Sequence, residues 1–197
     1  MQTFAINICL IPDETTFEIC EQLNKLDTGD YNTNTQKYIP HATLVMKSID
    51  EEGLAFLKTE FEKFSLEKIH CKTLDYYCKD SPVGLWNGIN IEKNSKIQQL
   101  QQQIIELTKN IENKPRTKES YVVQERFTEE GVKLKDETFF QNEKKIHITF
   151  GKNDIAQTFE TSNFPKEVTF TKLVIGQMGN YGSVRKILFE IDLQNIF

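Results

Sequence analysis

Long apolar runs are missing from this chain. None approaches the 18 or so consecutive apolar residues that a membrane-spanning helix needs, so no membrane contact is expected. The opening stretch, Met1 to Leu10, has neither a basic leader nor a small-residue cleavage site, and it reads as a first strand instead of a signal peptide. Cysteine is sparse: Cys9, Cys20, Cys71 and Cys78 form no Cys-x-x-Cys pair and no zinc-ligand spacing. Without an export signal they are expected as reduced thiols in a cytoplasmic protein, most of them small core residues. Positive charge is not in excess either. A net charge of −5 and a pI near 5.4 exclude a protein that coats long nucleic acid, which requires a broad basic footprint. No Asp or Glu recurs at a fixed offset from the histidines, so a metallohydrolase would lack ligands, and no cysteine or serine nucleophile signature is present.

Histidine is scarce too, with three in 197 residues, and the chemistry is read from where they stand. His41 lies in Tyr38-Ile-Pro-His-Ala-Thr-Leu-Val-Met-Lys47, and His147 lies in Lys144-Lys-Ile-His-Ile-Thr-Phe-Gly-Lys152. Both are followed two residues later by threonine, Thr43 and Thr149, within apolar, strand-like flanks. Side chains at i and i+2 of a strand share a face, roughly 6.5 Å apart. Each motif therefore offers an imidazole beside a hydroxyl, and two such pairs can move protons on two sides of one phosphate while the hydroxyls hold its oxygens. A single strand histidine is more often structural than catalytic, and His70, in His-Cys-Lys, lacks the threonine and serves as an internal contrast. Lys144, Lys145 and Lys152 around the second motif suit a small anionic substrate.

Hydrophobic residues at 38% and charged residues at 27% describe a globular chain with enough material for a real core. The first strand spans about residues 2–11, with Phe4, Ile6, Ile8 and Leu10 on its better-buried face. Asp13 is placed as the N-cap of a helix with Phe17, Cys20, Leu23 and Leu26 inward. A polar loop at 27–37 leads into the first motif strand. A helix starting near Ser48–Glu52 carries Leu54, Leu57, Phe61 and Phe64. Strands at 66–78 and 83–92 follow, then a helix over 94–113 with Ile97, Leu100, Ile104, Leu107 and Ile111. In the 113–140 segment Tyr121–Val123 reads as a short strand and 131–140 as a short helix, and Arg126 and Phe127 could touch substrate. Strands at 167–178 and 183–193 flank Gly179-Asn-Tyr-Gly182. The order motif strand, helix, hairpin thus occurs twice, which suggests two similar halves, each supplying one motif strand to a shared cleft.

Two His-x-Thr motifs about a hundred residues apart resemble those of the two-histidine phosphoesterase superfamily, which includes 2'-5' RNA ligase-like proteins and 2',3'-cyclic nucleotide phosphodiesterases. The resemblance rests on His41, Thr43, His147 and Thr149, with Leu44 and Phe150 after the threonines. It implies an α+β fold over residues 1–197 as one bilobal domain: two pseudo-symmetric, antiparallel-rich sheets with outer helices around a central cleft. It also implies a phosphodiesterase acting on a 2',3'-cyclic phosphate or a 2'-5'-linked nucleotide or RNA end, with no metal and no cofactor. Catalysis is assigned to His41, Thr43, His147 and Thr149, and substrate contacts to Tyr38, Phe150, Tyr181 and Arg185. The expected partner is a nucleotide or short RNA, and the chain is expected as a monomer. A non-catalytic nucleotide- or RNA-end-binding module and an RNA 2'-5' ligase are the alternatives. Two histidines favour an enzyme, since binding alone would be served as well by Arg or Lys.

Overall fold

The computed structural model describes residues 2–24, 39–80, 84–122, 145–153 and 164–195. In chain order its elements are β1 (Thr3–Pro12), α1 (Glu14–Asn24), β2 (Ala42–Asp50), α2 (Glu51–Phe61), β3 (Ile69–Lys79), β4 (Leu85–Glu92), α3 (Ser95–Thr108), β5 (Lys145–Asn153), β6 (Glu167–Met178) and β7 (Val184–Asp192). The fold is α+β, as expected.

Each helix starts where a side chain can take up its free amides. The Asp13 carboxylate accepts from the Thr16 amide at 2.9 Å and from the Thr169 amide at 3.1 Å, so it caps α1 and ties it to β6. Asp50 caps α2 by accepting from Gly53 N at 2.9 Å, and Ser48 lies within β2. Asn94 caps α3 through Ile97 N at 3.1 Å. That helix ends at Thr108, short of the expected 113, where the Lys47 ammonium donates to the Thr108 carbonyl. A cation there meets the negative end of the helix dipole.

The strands form one antiparallel sheet in the order β1-β2-β5-β4-β3-β6-β7, with β6 also pairing β1. This corrects the expected pair of sheets. The seams are unequal: β2 meets β5 through the single pair Ala42↔Ile148, and β3 meets β6 over Ile69–Lys72, whereas β1–β2 and β4–β5 are paired along most of their length. The connectivity differs from the expected grouping as well. The β3–β4 hairpin, which follows the first motif strand, pairs with the second motif strand β5. The β6–β7 hairpin, which follows the second, pairs through β1 with the first. The helical connection after β2 lets the chain leave its neighbour and pair elsewhere, which a tight turn would not.

One face of this sheet carries the main core. Ile6, Ile8 and Leu10 of β1, Ala42 and Leu44 of β2, and Ile146, Ile148 and Phe150 of β5 pack with Leu54, Leu57 and Phe61 of α2 and Ile97, Leu100 and Ile104 of α3. The opposite face of β1 is buried too, because Cys9 and Ile11 pack on Val174 and Val184. Burial on both faces explains why β1 is almost wholly apolar. Tyr121 is buried and Val122 N donates to the Met178 carbonyl at 2.9 Å, yet neither belongs to a strand. The expected loop at 27–37, the expected helix at 131–140, Leu26, Tyr38, Val123, Arg126 and Phe127 lie outside the described residues. Among the described residues no helix is long and apolar enough to cross a membrane.

Candidate active site

The site follows from one register. Ala42 and Ile148 are partners, and both are fully buried in the core. Alternation then turns their neighbours to the other face, His41 just before β2 and Thr43 within it, and His147 and Thr149 from β5. Because the strands are antiparallel, His41 falls across from Thr149 and Thr43 across from His147. The two histidines become diagonal neighbours, which in a regular pair lie about 7–8 Å apart, a gap of the size that a single phosphate fills.

Both motif strands carry the same irregularity. The β1–β2 register passes from Ile8↔Val45 to Cys9↔Thr43, skipping Leu44. The β4–β5 register passes from Gly88↔Thr149 to Asn87↔Gly151, skipping Phe150. In each strand the residue after the motif threonine is the extra residue of a β-bulge, a device that re-aims side chains next to functional sites. Beyond the second bulge Lys152 pairs with Trp86, so Lys152 shares the face of His147 and Thr149.

The first motif is held by Asn7 of β1. Its Nδ2 stands 2.8 Å from Thr43 Oγ1, 3.0 Å from the Gly182 carbonyl and 3.2 Å from His41 Nε2. Two hydrogens cannot satisfy three acceptors, so the two shorter contacts are the hydrogen bonds and His41 Nε2 is the least engaged. On the other side of the ring, Nδ1 lies 2.7 Å from the Ile39 carbonyl. A carbonyl only accepts, which places the ring hydrogen on Nδ1 and leaves Nε2 as the basic atom. The His41 pKa is lowered to about 4, chiefly by burial and in lesser part by the nearby Arg185 charge, against the opposing pull of the Ile39 and Gly182 carbonyls. His41 is therefore neutral at pH 7.

The second motif is held by Tyr77 of β3. Its hydroxyl lies 2.8 Å from Thr149 Oγ1, and its ring meets the His147 ring edge-on at 5.9 Å and 89°. Tyr77 reaches β5 across β4 because Gly88 lies between them: a Cβ on Gly88 would stand 2.4 Å from the tyrosine oxygen.

The expected substrate contacts fare unequally. Phe150 is buried in the core, stacked with Tyr76 at 6.0 Å and Phe164 at 5.8 Å. Its packing is on the side opposite His147 and Thr149, which corrects its assignment as a substrate contact. Arg185 is buried beside the site, its Nε donating to Ser183 Oγ at 3.0 Å. Tyr181, in the turn Asn180–Gly182, has φ of 58°, a conformation that costs a non-glycine residue about 1–3 kcal/mol. Its ring packs edge-on against Trp86 at 5.3 Å, with Lys152 Nζ 5.3 Å from its centroid. The turn after β6 thus reaches across to β4 and β5. Asn7, Tyr77 and Gly88 escaped the sequence reading because they lie far from either motif in sequence and meet it only through strand pairing. His70, the contrast, is exposed on β3 with Nδ1 2.9 Å from Thr169 Oγ1. Among the described residues no group of three or more His, Cys, Asp or Glu side chains is placed to hold a metal ion.

No family model and no curated protein matches the sequence. Solved structures do match the fold. A crystal structure of a phosphoesterase superposes with a TM-score of 0.57 at 12% identity, covering 98% of this chain and 100% of the other. E. coli LigT in its apo form gives 0.57 at 12% identity over 99% and 100% of the two chains, and LigT complexed with 3'-AMP gives 0.57 at 10% over 98% and 100%. The chain has the fold of these phosphoesterase and LigT structures.

Proposed function

We propose that this chain is a phosphodiesterase that opens a 2',3'-cyclic phosphate, or cleaves a 2'-5' linkage at a nucleotide or RNA end, with His41 and His147 as its acid–base pair. The observation that carries the reading is the Ala42↔Ile148 pairing, which turns two histidines and two threonines to one face. Crystals of the fold neighbour LigT hold 3'-AMP and, separately, phosphate, which supports a nucleotide phosphate as the ligand class.

Roles follow from the tautomer. Neutral His41, with Nδ1–H fixed on the Ile39 carbonyl, takes a proton from water through Nε2 as that water attacks phosphorus. The bond from phosphorus to one ring oxygen breaks, and that oxygen takes a proton from His147. The products are a phosphomonoester and a free ribose hydroxyl. Thr43 and Thr149 donate hydrogen bonds to the non-bridging oxygens, where negative charge gathers. Arg185, close enough to depress His41, adds positive charge beside the bound anion. Tyr181 and Trp86 offer aromatic surface next to the phosphate for a base.

The test is turnover of a panel of 2',3'-cyclic nucleotides and short 2'-5' and 3'-5' oligonucleotides. Hydrolysis that disappears in His41→Ala and His147→Ala supports the proposal. Tight binding of the same compounds with no turnover would leave a binding module, and joining of RNA ends would leave a ligase.

A further inference from the structure

We propose that Tyr77 is a positioning residue of the second motif: it donates its hydroxyl hydrogen to Thr149, which directs the Thr149 hydrogen onto a phosphate oxygen. This rests on the reading of His147 and Thr149 as half of a phosphate site. In the free protein either hydroxyl of the 2.8 Å pair can be the donor. A phosphate oxygen only accepts, so with an anion against Thr149 the threonine hydrogen goes to the anion and Tyr77 fills the threonine lone pair. Burial holds the Tyr77 phenol above its ordinary range, so the hydrogen that it must supply is retained. Donation into a hydroxyl strengthens the bond that the hydroxyl itself gives, because chained hydrogen bonds polarise one another.

Two further observations converge. The first motif has the same construction with different chemistry: Thr43 receives its hydrogen bond from Asn7 Nδ2, an atom that only donates. Each motif threonine thus has a donor behind it, an arrangement that suits an acceptor in front. The route from Tyr77 to Thr149 is also kept open by Gly88, whose missing side chain leaves room for the tyrosine oxygen and for the Ile148 carbonyl, each 2.4 Å from where a Cβ would stand. The edge-on contact of the same ring with His147 means that one side chain orients both members of the motif.

The experiment is a double-mutant cycle read by calorimetric titration with inorganic phosphate, on wild type, Tyr77→Phe, Thr149→Val and the double variant, with thermal melting of each. Tyr77→Phe keeps the ring against His147 and removes only the hydroxyl. It is expected to weaken phosphate binding about three- to tenfold, the range for one net hydrogen bond, and to add nothing in the Thr149→Val background. Wild-type affinity in Tyr77→Phe, or an equal loss with and without the Thr149 hydroxyl, overturns the proposal while leaving the phosphate site intact. Unchanged phosphate affinity in Thr149→Val overturns the phosphate-site reading itself. On the best cyclic phosphate, Tyr77→Phe should lower kcat/KM without a fall in melting temperature of the same rank. A variant whose only change is its melting temperature marks Tyr77 as structural and overturns the proposal.

Discussion

Ala42 and Ile148, the middle residues of the two His-x-Thr triplets, are register partners, and among the described residues theirs is the pair that joins β2 to β5. A core contact therefore sets the geometry on the other face of the sheet. If His41 and His147 act as one acid–base unit, each alanine substitution should cost on the order of 10²–10⁴ in kcat. The double variant should lose far less than the product of the two, since groups that act together are not additive. His70→Ala, at an exposed position on β3 with a threonine partner, should leave turnover within about twofold of wild type, by the same order-of-magnitude reasoning for a residue outside the unit. Steady-state rates for these four variants on one cyclic phosphate check the assignment, and near-full activity in either motif variant would move the chemistry elsewhere.

The pH–rate profile carries the next prediction. A base must be unprotonated, and His41 loses its proton at about 4, not in the ordinary imidazole range. kcat/KM should thus hold its level well below pH 6 and fall only as the pH approaches 4, a limb that strictly belongs to the coupled pair. Arg185 contributes to the depression, so Arg185→Gln should move that limb to higher pH. A wild-type limb centred near 6.5, unmoved by the substitution, would mean that no depressed His41 sets that limb.

Chelation gives a third check. Two imidazoles supply both proton transfers, and the threonine hydroxyls supply neutral donors. The reaction scheme thus has no step that calls on a metal, and activity should survive prolonged treatment with EDTA. Loss of activity restored by a single divalent ion would favour metal-assisted hydrolysis instead.

Tyr181 is held at φ 58° with its ring against Trp86 and its face toward Lys152. Strain of that kind persists where surrounding structure over-determines it. Replacing Tyr181 by alanine should raise KM for nucleotide substrates about five- to a hundredfold, the span of a lost base-stacking contact, with kcat less affected. An unchanged KM with a lowered melting temperature would mean that the ring serves packing alone.

Much of this was legible because it is periodic. The apolar alternation of β1 and β5, the helical stripe of Leu54, Leu57 and Phe61, and the paired His-x-Thr triplets depend on neighbours in sequence, and they fold accordingly. What was not legible depends on pairing between distant strands. Asn7 meets His41 from 34 positions away and Tyr77 meets Thr149 from 72, and no local pattern encodes either. Phe150 was misjudged for a local reason: adjacency to Thr149 suggests a shared site, but adjacent strand residues face opposite ways, and the bulge leaves that ring in the core. Each motif strand is followed further along the chain by a hairpin, as the order suggested, yet that order hid the exchange of hairpins. Which strand a hairpin joins is decided by the connections between elements and not by their order.

The last prediction follows from linkage. His41 is neutral and buried in the folded chain, with a pKa of about 4 against an ordinary value of 6.5. Between those values the unfolded chain binds a proton that the folded chain refuses, and stability rises with pH wherever the unfolded state holds more protons. The contribution is thus complete above about pH 6.5, declines as pH falls toward 4, and changes no further once both states are protonated. Each tenfold difference in proton affinity between the two states is worth about 1.4 kcal/mol, so the contribution is of order 3 kcal/mol. Urea unfolding at pH 7, 6 and 5 should show wild type losing stability across this window. His41→Gln, which keeps a neutral polar side chain beside Asn7 and the Ile39 carbonyl, should show a flatter dependence. It is expected to be less stable than wild type at pH 7, where the imidazole's packing and hydrogen bonds are lost, and to close that gap by pH 5. Parallel pH dependences for the two proteins would mean that His41 titrates as freely in the folded chain as in the unfolded one, and the depression of its pKa by burial would go with it.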